Sequence, residues 1–468
     1  MAGEAGHSPL GDTMSTDMRG IVQTSLFSLV PGVAVNVGPD SQYRVLSQIF
    51  PWVEAAAIVN RYRSEKVDIE NGRILNLRAH IGALIAQTMN GWTDRQTEEM
   101  VRYHAGVRLL CGLEGTTTTM DRTRIEAFRN CVGKTCAEEL NQMVLRSAQG
   151  AGFTGIEICA ADTTVQESPI AYPTEVGHMK NIAEKILGFG KTLGLKSVAG
   201  LGKLKDKAQG LFTSIRLFTR GKTEQALEKK KKLSKKMNSR VQKMVQLAKA
   251  DLESKRGTLA AQAREQLELY GHMLEQIKIW MKTGFHPKDK IISLWDTTAR
   301  AISKGKSGKS VEFGRRWIIT RLMGGYVTGA PCQKIGADAD TQIADEVLMN
   351  FMDTFGEVPE NFIYDRGADS KKNEIFLSEV GVENICIFPK GRRKMDVPPE
   401  VLEMARRERS LNEASIANLK SKKYNFTKPR ARSQHACDHK GFSAMLGFNL
   451  NLMLRDLGAA MEIRAEIT

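Results

Sequence analysis

Long apolar runs are missing from this chain of 468 residues. None approaches the roughly 18 residues that a membrane-spanning helix needs, which excludes an integral helical membrane protein. A cationic segment leading into an apolar core is also missing at the N-terminus, where Glu4 stands early. No signal peptide is expected, and the protein reads as soluble and intracellular. Cysteine is scarce and scattered: Cys111, Cys131, Cys136, Cys159, Cys332, Cys386 and Cys437 form an odd set. That argues against a disulfide framework and for reduced thiols in a cytosolic setting. His435, Cys437 and His439 do form a tight cluster, but their spacing is not that of a common zinc finger. No second cysteine pair lies nearby, so zinc is the lesser reading.

What the chain has is length and positive charge. Two to four domains are expected at this size, and 41% hydrophobic residues suffice for sizeable cores. Lys and Arg number 68 against 53 Asp and Glu, a net charge of +15. This excess favours a polyanionic partner, nucleic acid before membrane, because no basic amphipathic anchor stands out.

Along the chain, residues 1–40 carry little charge and read as a flexible tail or extended arm. From 41 to 150 the pattern is helical: Ile74, Leu77, Ile81, Leu84 and Ile85 recur at three- and four-residue steps. Thr93 with Gln96 resembles a capping box, and Asp121 suits the cap of a further helix. Arg122, Arg124 and Arg129 make that helix basic, either as part of a DNA-binding domain or as a solvated face. TGIEIC then alternates as a half-buried strand ending at Asp162, with Thr163 and Thr164 continuing it, before Pro169 and Pro173 break regular structure. Residues 181–285 read as a helical insertion. They hold a hairpin near 187–210 and one or two long charged helices from Glu224 to Met281. The run Lys229–Lys232, with Lys235 and Lys236, is either a solvated face or a track for phosphates.

Strand signals return with IISLWD and KGKSGKSVEFGRRWIITRL, read as consecutive antiparallel strands. Asp296 sits before a turn and suits a structural role. Thr341–Phe355 suits a helix. Phe362–Tyr364 is a short strand ending in Asp365, followed by a helix over Asn373–Val380 and a buried strand at NICIFPKG. That βαβ rhythm implies parallel strands, whose carboxyl ends gather ligand groups. A helix from Pro398 to about Lys422 puts Arg409, Glu413 and Lys420 in line with Leu402, Ala405 and Ile416. The charged residues should therefore point toward the protein body. Three acids thus occur in order, Asp162 and Asp365 at strand ends and Glu413 on a helix. Two-metal phosphoryl chemistry needs such carboxylates around two hard cations roughly 4 Å apart.

These blocks resemble insertion-sequence transposases of the DDE type. ADTTVQESPIAYPTE is similar to that family's first-Asp block, and HPKDKIISLWDTTARAISKGKSGKSVEFG to its central block. FIYDRGADSKKN resembles the second-Asp block. In RSLNEASIANLKS, Arg409, Glu413 and Lys420 repeat the family's R-x3-E-x6-K spacing. The likeness spans roughly 90–455, and the long helical stretch between the first and second Asp resembles one subgroup. Two positions depart from the pattern. Ala368 stands where the second-Asp block often has Tyr, and Arg406 where some relatives have Tyr before the Arg.

The resemblance implies an α/β protein with an RNase H-like catalytic core over 151–180 and 286–430. It would have a helical DNA-binding domain over 41–150, the helical insertion over 181–285, and a C-terminal helix over 431–468 packed on the core. It implies a DNA transposase that cleaves its element's ends and joins the 3′-OH to target DNA. Asp162, Asp365 and Glu413 would be catalytic and hold two Mg²⁺, with Mn²⁺ able to replace them. Arg409, Lys420, Lys304, Lys306, Arg315 and Arg366 would bind phosphate or DNA. Partners would be double-stranded transposon ends and target, with a homodimer or larger assembly, in the cytoplasm at a prokaryotic nucleoid. A nuclease on the same core and a catalytically silent DNA-binding relative are the alternatives.

Overall fold

The computed structural model describes residues 37–66, 75–170, 174–218, 223–287, 289–303, 311–333, 339–389, 391, 393, 395–429, 431 and 433–467. Lys304, Lys306 and most of the 1–40 tail lie outside these residues, as do Ile74 and Pro173. The chain divides into two compact units: Met1–Glu167 with Arg315–Thr468, and Ser168–Gly314. We call them the sheet unit and the helical unit.

The sheet unit opens with helices α1 (Gln42–Ile49), α2 (Trp52–Ser64), α3 (Leu77–Asn90), α4 (Asp94–Tyr103), α5 (Ala105–Leu110) and α6 (Arg122–Gly150). Local chemistry sets their starts. Asn76 accepts from the Ala79 amide at 3.0 Å, and Asp121 from the Arg124 amide at 3.0 Å. Thr93 and Gln96 form the expected capping box. Helix α3 is buried on nearly every side, in keeping with the apolar run Ile81–Ala86 at its centre. Gly133 interrupts α6 with φ 74°, a conformation that favours glycine.

The sheet of this unit runs β4 (Val327–Pro331), β3 (Val311–Arg321), β1 (Ile158–Glu167), β5 (Asn361–Tyr364), β6 (Asn384–Ile387). β1, β5 and β6 are parallel to one another, while β3 and β4 pair antiparallel. Helices α11 (Ala344–Phe355), α12 (Lys371–Val380), α13 (Pro399–Leu419) and α14 (Gln434–Ile467) are laid among these strands in chain order. One continuous core joins α1–α6 to one sheet face through Leu84, Ile85, Leu145, Cys159, Ala161, Ile318 and Phe362. α14 closes on it through Asn449, whose side chain donates to the Asn141 side chain (2.8 Å) and the Val327 carbonyl (2.7 Å) and accepts from the Val327 amide (2.9 Å). Gly447 lets α14 approach α3 closely, since a Cβ there would lie 2.2 Å from the Thr88 carbonyl.

The helical unit consists of α7 (Glu175–Thr192), α8 (Val198–Phe218), α9 (Glu224–Leu252) and α10 (Thr258–Thr283), then β2 (Arg300–Ser303) paired antiparallel with the first residues of β3. Its own core includes Ile182, Ile186, Met237, Val241, Met244, Leu267, Tyr270 and Leu274. IISLWD is not a strand, contrary to its apolar pattern. The Ser293 hydroxyl accepts from the amides of Trp295 and Asp296, and the Asp296 carboxylate from those of Thr298 and Ala299. Side chains thus take up the amides that a sheet ladder would use. The buried Asp296 also accepts from the Ser168 hydroxyl at 2.6 Å, a structural role as its position suggested.

Candidate active site

The site is built where β1 loses β5 as a partner. Their parallel register runs from Ile158↔Asn361 to Ala161↔Tyr364. One residue further along the chain from this last pair stand Asp162 and Asp365. Asp162 does not end its strand, as the sequence suggested, because β1 continues to Glu167. Its extension is supported from the 420s, where the Thr427 carbonyl accepts from the Glu167 amide at 2.7 Å. Asp365 does end β5 and opens a short 3₁₀ turn over Arg366–Ala368.

Alternation decides which way these side chains face. Ala160 and Ile363 pack with Cys386 and Ala405 in a layer between the sheet and α13. Asp162 and Thr164 follow Ala160 at steps of two, and Asp365 follows Ile363 likewise, so all three face the α13 side. Two cations of the α13 segment meet them there. The Arg409 guanidinium lies 2.7 Å from Asp365 Oδ1, and its Cζ sits 5.0 Å from the centre of the Phe388 ring. Lys420 Nζ donates to Thr164 Oγ1 at 3.0 Å. Asp162 Oδ1 accepts from the Thr163 amide at 2.6 Å. Both Arg409 and Asp365 retain solvent access, with side chains 34% and 42% exposed, so a ligand can reach the pair.

Glu413 behaves differently from expectation. It is exposed, while the buried stripe of α13 is Ala405, Glu408, Asn412, Ser415, Ile416 and Leu419. That stripe is rotated from the line through Arg409, Glu413 and Lys420 because Arg321 anchors it. Arg321 Nε lies 3.0 Å from Glu408 Oε2, and its Nη1 donates to Ser415 Oγ at 3.1 Å. Arg315 also stands apart from the site. It pairs with the fully buried Asp438, which Lys134 meets on its other oxygen at 3.1 Å, and so serves the interior. Arg366 is exposed in the turn beside Asp365.

The donor chemistry fits a hard divalent cation in part. Two adjacent carboxylates offer the oxygen ligands that Mg²⁺ takes. Among the described residues, however, no group of three His, Cys, Asp or Glu is close enough to hold a metal ion. That includes His435, Cys437 and His439. Cys437 is turned to the Ala431 carbonyl and His439 to Ser443. Residues the sequence reading missed are Thr164, Phe388 and Glu408. Only Thr164 carried a usable signal, its step of two from Asp162.

The fold and site define a mixed α/β protein with a carboxylate pair and two cations gathered at adjacent parallel strands. A family model described as a transposase domain (DUF772) matches residues 35–131, which take in α1–α5 and the start of α6. The match supports a transposase role for the chain. No curated protein and no solved structure matches it. Among the described residues, no helix is long and apolar enough to cross a membrane.

Proposed function

We propose that this protein is a DNA transposase of the DDE type, cutting phosphodiester bonds at its element's ends and joining the freed 3′-OH to target DNA. The observation that carries the reading is the pairing of Asp162 with Asp365 beneath Arg409 and Lys420. A mixed sheet with α13 laid over its parallel strands supports an RNase H-like core, and the transposase-domain match lies where the helical DNA-binding domain was expected.

Asp162 and Asp365 would hold Mg²⁺, with Glu413 as the third carboxylate of the set. When bound, that ion would supply Lewis-acid polarisation of the phosphodiester and a more acidic water. The remaining work falls to the chain's own groups. Arg409 holds Asp365 in place in the free protein and is placed to exchange that carboxylate for a phosphate oxygen, which its planar fork suits. Lys420, whose ammonium donates to the Thr164 hydroxyl at 3.0 Å, is placed to turn to a phosphate. Arg366 offers a further exposed cation next to Asp365. The helical unit supplies the backbone electrostatics, and joining two ends calls for a homodimer or larger assembly.

The test is Mg²⁺-dependent cleavage of linear DNA carrying the gene's own flanking sequences. Nicking at the flank boundary by the parent, lost in Glu413→Gln, is expected. Binding without cleavage by the parent would favour the silent DNA-binding relative, for which the exposed position of Glu413 is the specific argument. Cleavage with no 3′-end joining product would indicate a nuclease.

A further inference from the structure

We propose that a cleft in the sheet unit, formed by Arg129, His439, Lys440 and Ser443, is a binding site for a phosphate oxyanion, presented either by a DNA backbone or as free phosphate. The first source rests on the transposase reading; the second does not.

The cleft has a volume of about 20 Å³, and its other walls include Gly91, Trp92, Tyr424 and Asn425. That exceeds the space one water needs but cannot take a base or a sugar. A ligand enters it only by a small polar group. The lining says which kind. His439 is 4% exposed, and its Nδ1 lies 3.3 Å from Ser443 Oγ while Nε2 has no partner. In the tautomer in which the Ser443 hydroxyl donates to Nδ1, Nε2 carries the proton and is a buried donor without an acceptor. An unmade hydrogen bond of that kind is costly in a buried group and asks for an oxygen.

Charge points the same way. The carboxylate that faces this cluster is Asp94, and it is already taken. Arg129 Nη2 donates to Asp94 Oδ2 at 3.0 Å, its other terminal nitrogen pairs with Oδ1, and Gln87 donates to Oδ1 at 2.8 Å. The Lys440 ammonium is left as an excess cation in a confined place. Burial, and then Arg129, push its pKa down to about 8, and Asp94 only partly opposes them. Burial holds the His439 imidazole neutral, at a pKa of about 3. An oxyanion in the cleft would give the Lys440 charge a counter-charge and the Nε2–H an acceptor at once. His439 therefore has a use that its place in the His-x-Cys-x-His cluster did not suggest.

The experiment uses the full chain and two probes. Thermal unfolding is followed with inorganic phosphate against chloride at matched ionic strength, for the parent, Lys440→Met and Lys440→Arg. Phosphate is expected to raise Tm for the parent and Lys440→Arg but not for Lys440→Met. Lys440→Met removes a charge from a like-charged cleft and should fold without phosphate; His439→Gln, judged by the same shift, is the second variant. The salt dependence of duplex DNA binding is then measured for each. A slope lower by about one in Lys440→Met, restored in Lys440→Arg, assigns the site to the DNA backbone. A phosphate-specific Tm shift with an unchanged slope assigns it to free phosphate. No phosphate-specific shift and no slope change means the cleft holds only water and overturns the proposal. A parent that fails to bind DNA defeats the transposase reading, while the thermal arm still decides the cleft.

Discussion

The two units divide the protein's charge unequally. Residues 168–314 carry 30 of the Lys and Arg and 13 of the Asp and Glu, a net charge of +17. The remainder of the chain carries 38 against 40 and is close to neutral. The whole excess of +15 therefore belongs to the helical unit. The candidate chemical groups show the reverse distribution, since Asp162, Asp365, Arg409, Glu413 and Lys420 all belong to the sheet unit. The lesson is that an overall net charge averages over parts with different work. A near-neutral scaffold can hold two carboxylates beside each other, whereas a cationic helical body attracts a polyanion whatever its sequence.

If that division is functional, the largest effect comes from the acidic pair. Asp162→Asn and Asp365→Ala are expected to lower the cleavage rate by roughly 10⁴-fold, the scale of losing a central catalytic group. DNA affinity should change little, because the helical unit is untouched. The comparison fails if affinity falls in step with cleavage in a filter-binding or anisotropy titration.

The next effect is on stability and concerns the sheet unit alone. Asp438 is fully buried between Arg315 and Lys134. Asp438→Asn removes a buried counter-charge from Arg315, whose side chain is 11% exposed. A loss of about 3 kcal/mol or more is expected, read as a fall in the denaturant midpoint. A change below about 1 kcal/mol would mean that solvent reaches the pair.

The third prediction addresses the cationic unit directly. Lys229, Lys231, Lys232, Lys235 and Lys236 are exposed on α9. Their joint replacement by Gln should flatten the slope of log affinity against log salt, by up to about one for each phosphate no longer neutralised. Cleavage at saturating DNA should persist. An unchanged slope would return this run to the plainer reading of a solvated helix face.

Much of this arrangement was legible in the sequence because its signals are local. Asn76, Thr93 and Asp121 cap helices through their own side chains, and the βαβ rhythm around Asp365 comes from short apolar runs between turns. The long helices of the insertion follow from their spacing of apolar residues. What could not be read is set at long range. β1 runs beyond Thr164 to Glu167, where the Thr427 carbonyl accepts from the Glu167 amide. Glu413 faces outward because Arg321, 87 positions before Glu408, fixes the roll of α13. Arg315 looked like a phosphate ligand among neighbouring lysines, and its partner Asp438 lies more than a hundred residues away.

The smallest effect concerns Thr164, and it tests whether the sheet unit merely holds its cations or tunes them. The Thr164 hydroxyl accepts from Lys420 at 3.0 Å, on the same face of β1 as Asp162. Val has nearly the same shape and keeps the β-branch the strand prefers. Thr164→Val therefore removes only the acceptor. A neutral hydrogen-bond partner to a charged donor contributes about 1.5–3 kcal/mol when buried, and less where solvent can replace it. Lys420 is half-buried, so a change of tenfold or less in cleavage rate is expected, with Tm nearly constant. The direction carries the information. A slower reaction means that Thr164 aims the ammonium at its phosphate. A faster one means that the hydroxyl holds Lys420 back from the DNA, and that the free protein is poised short of its cleaving arrangement.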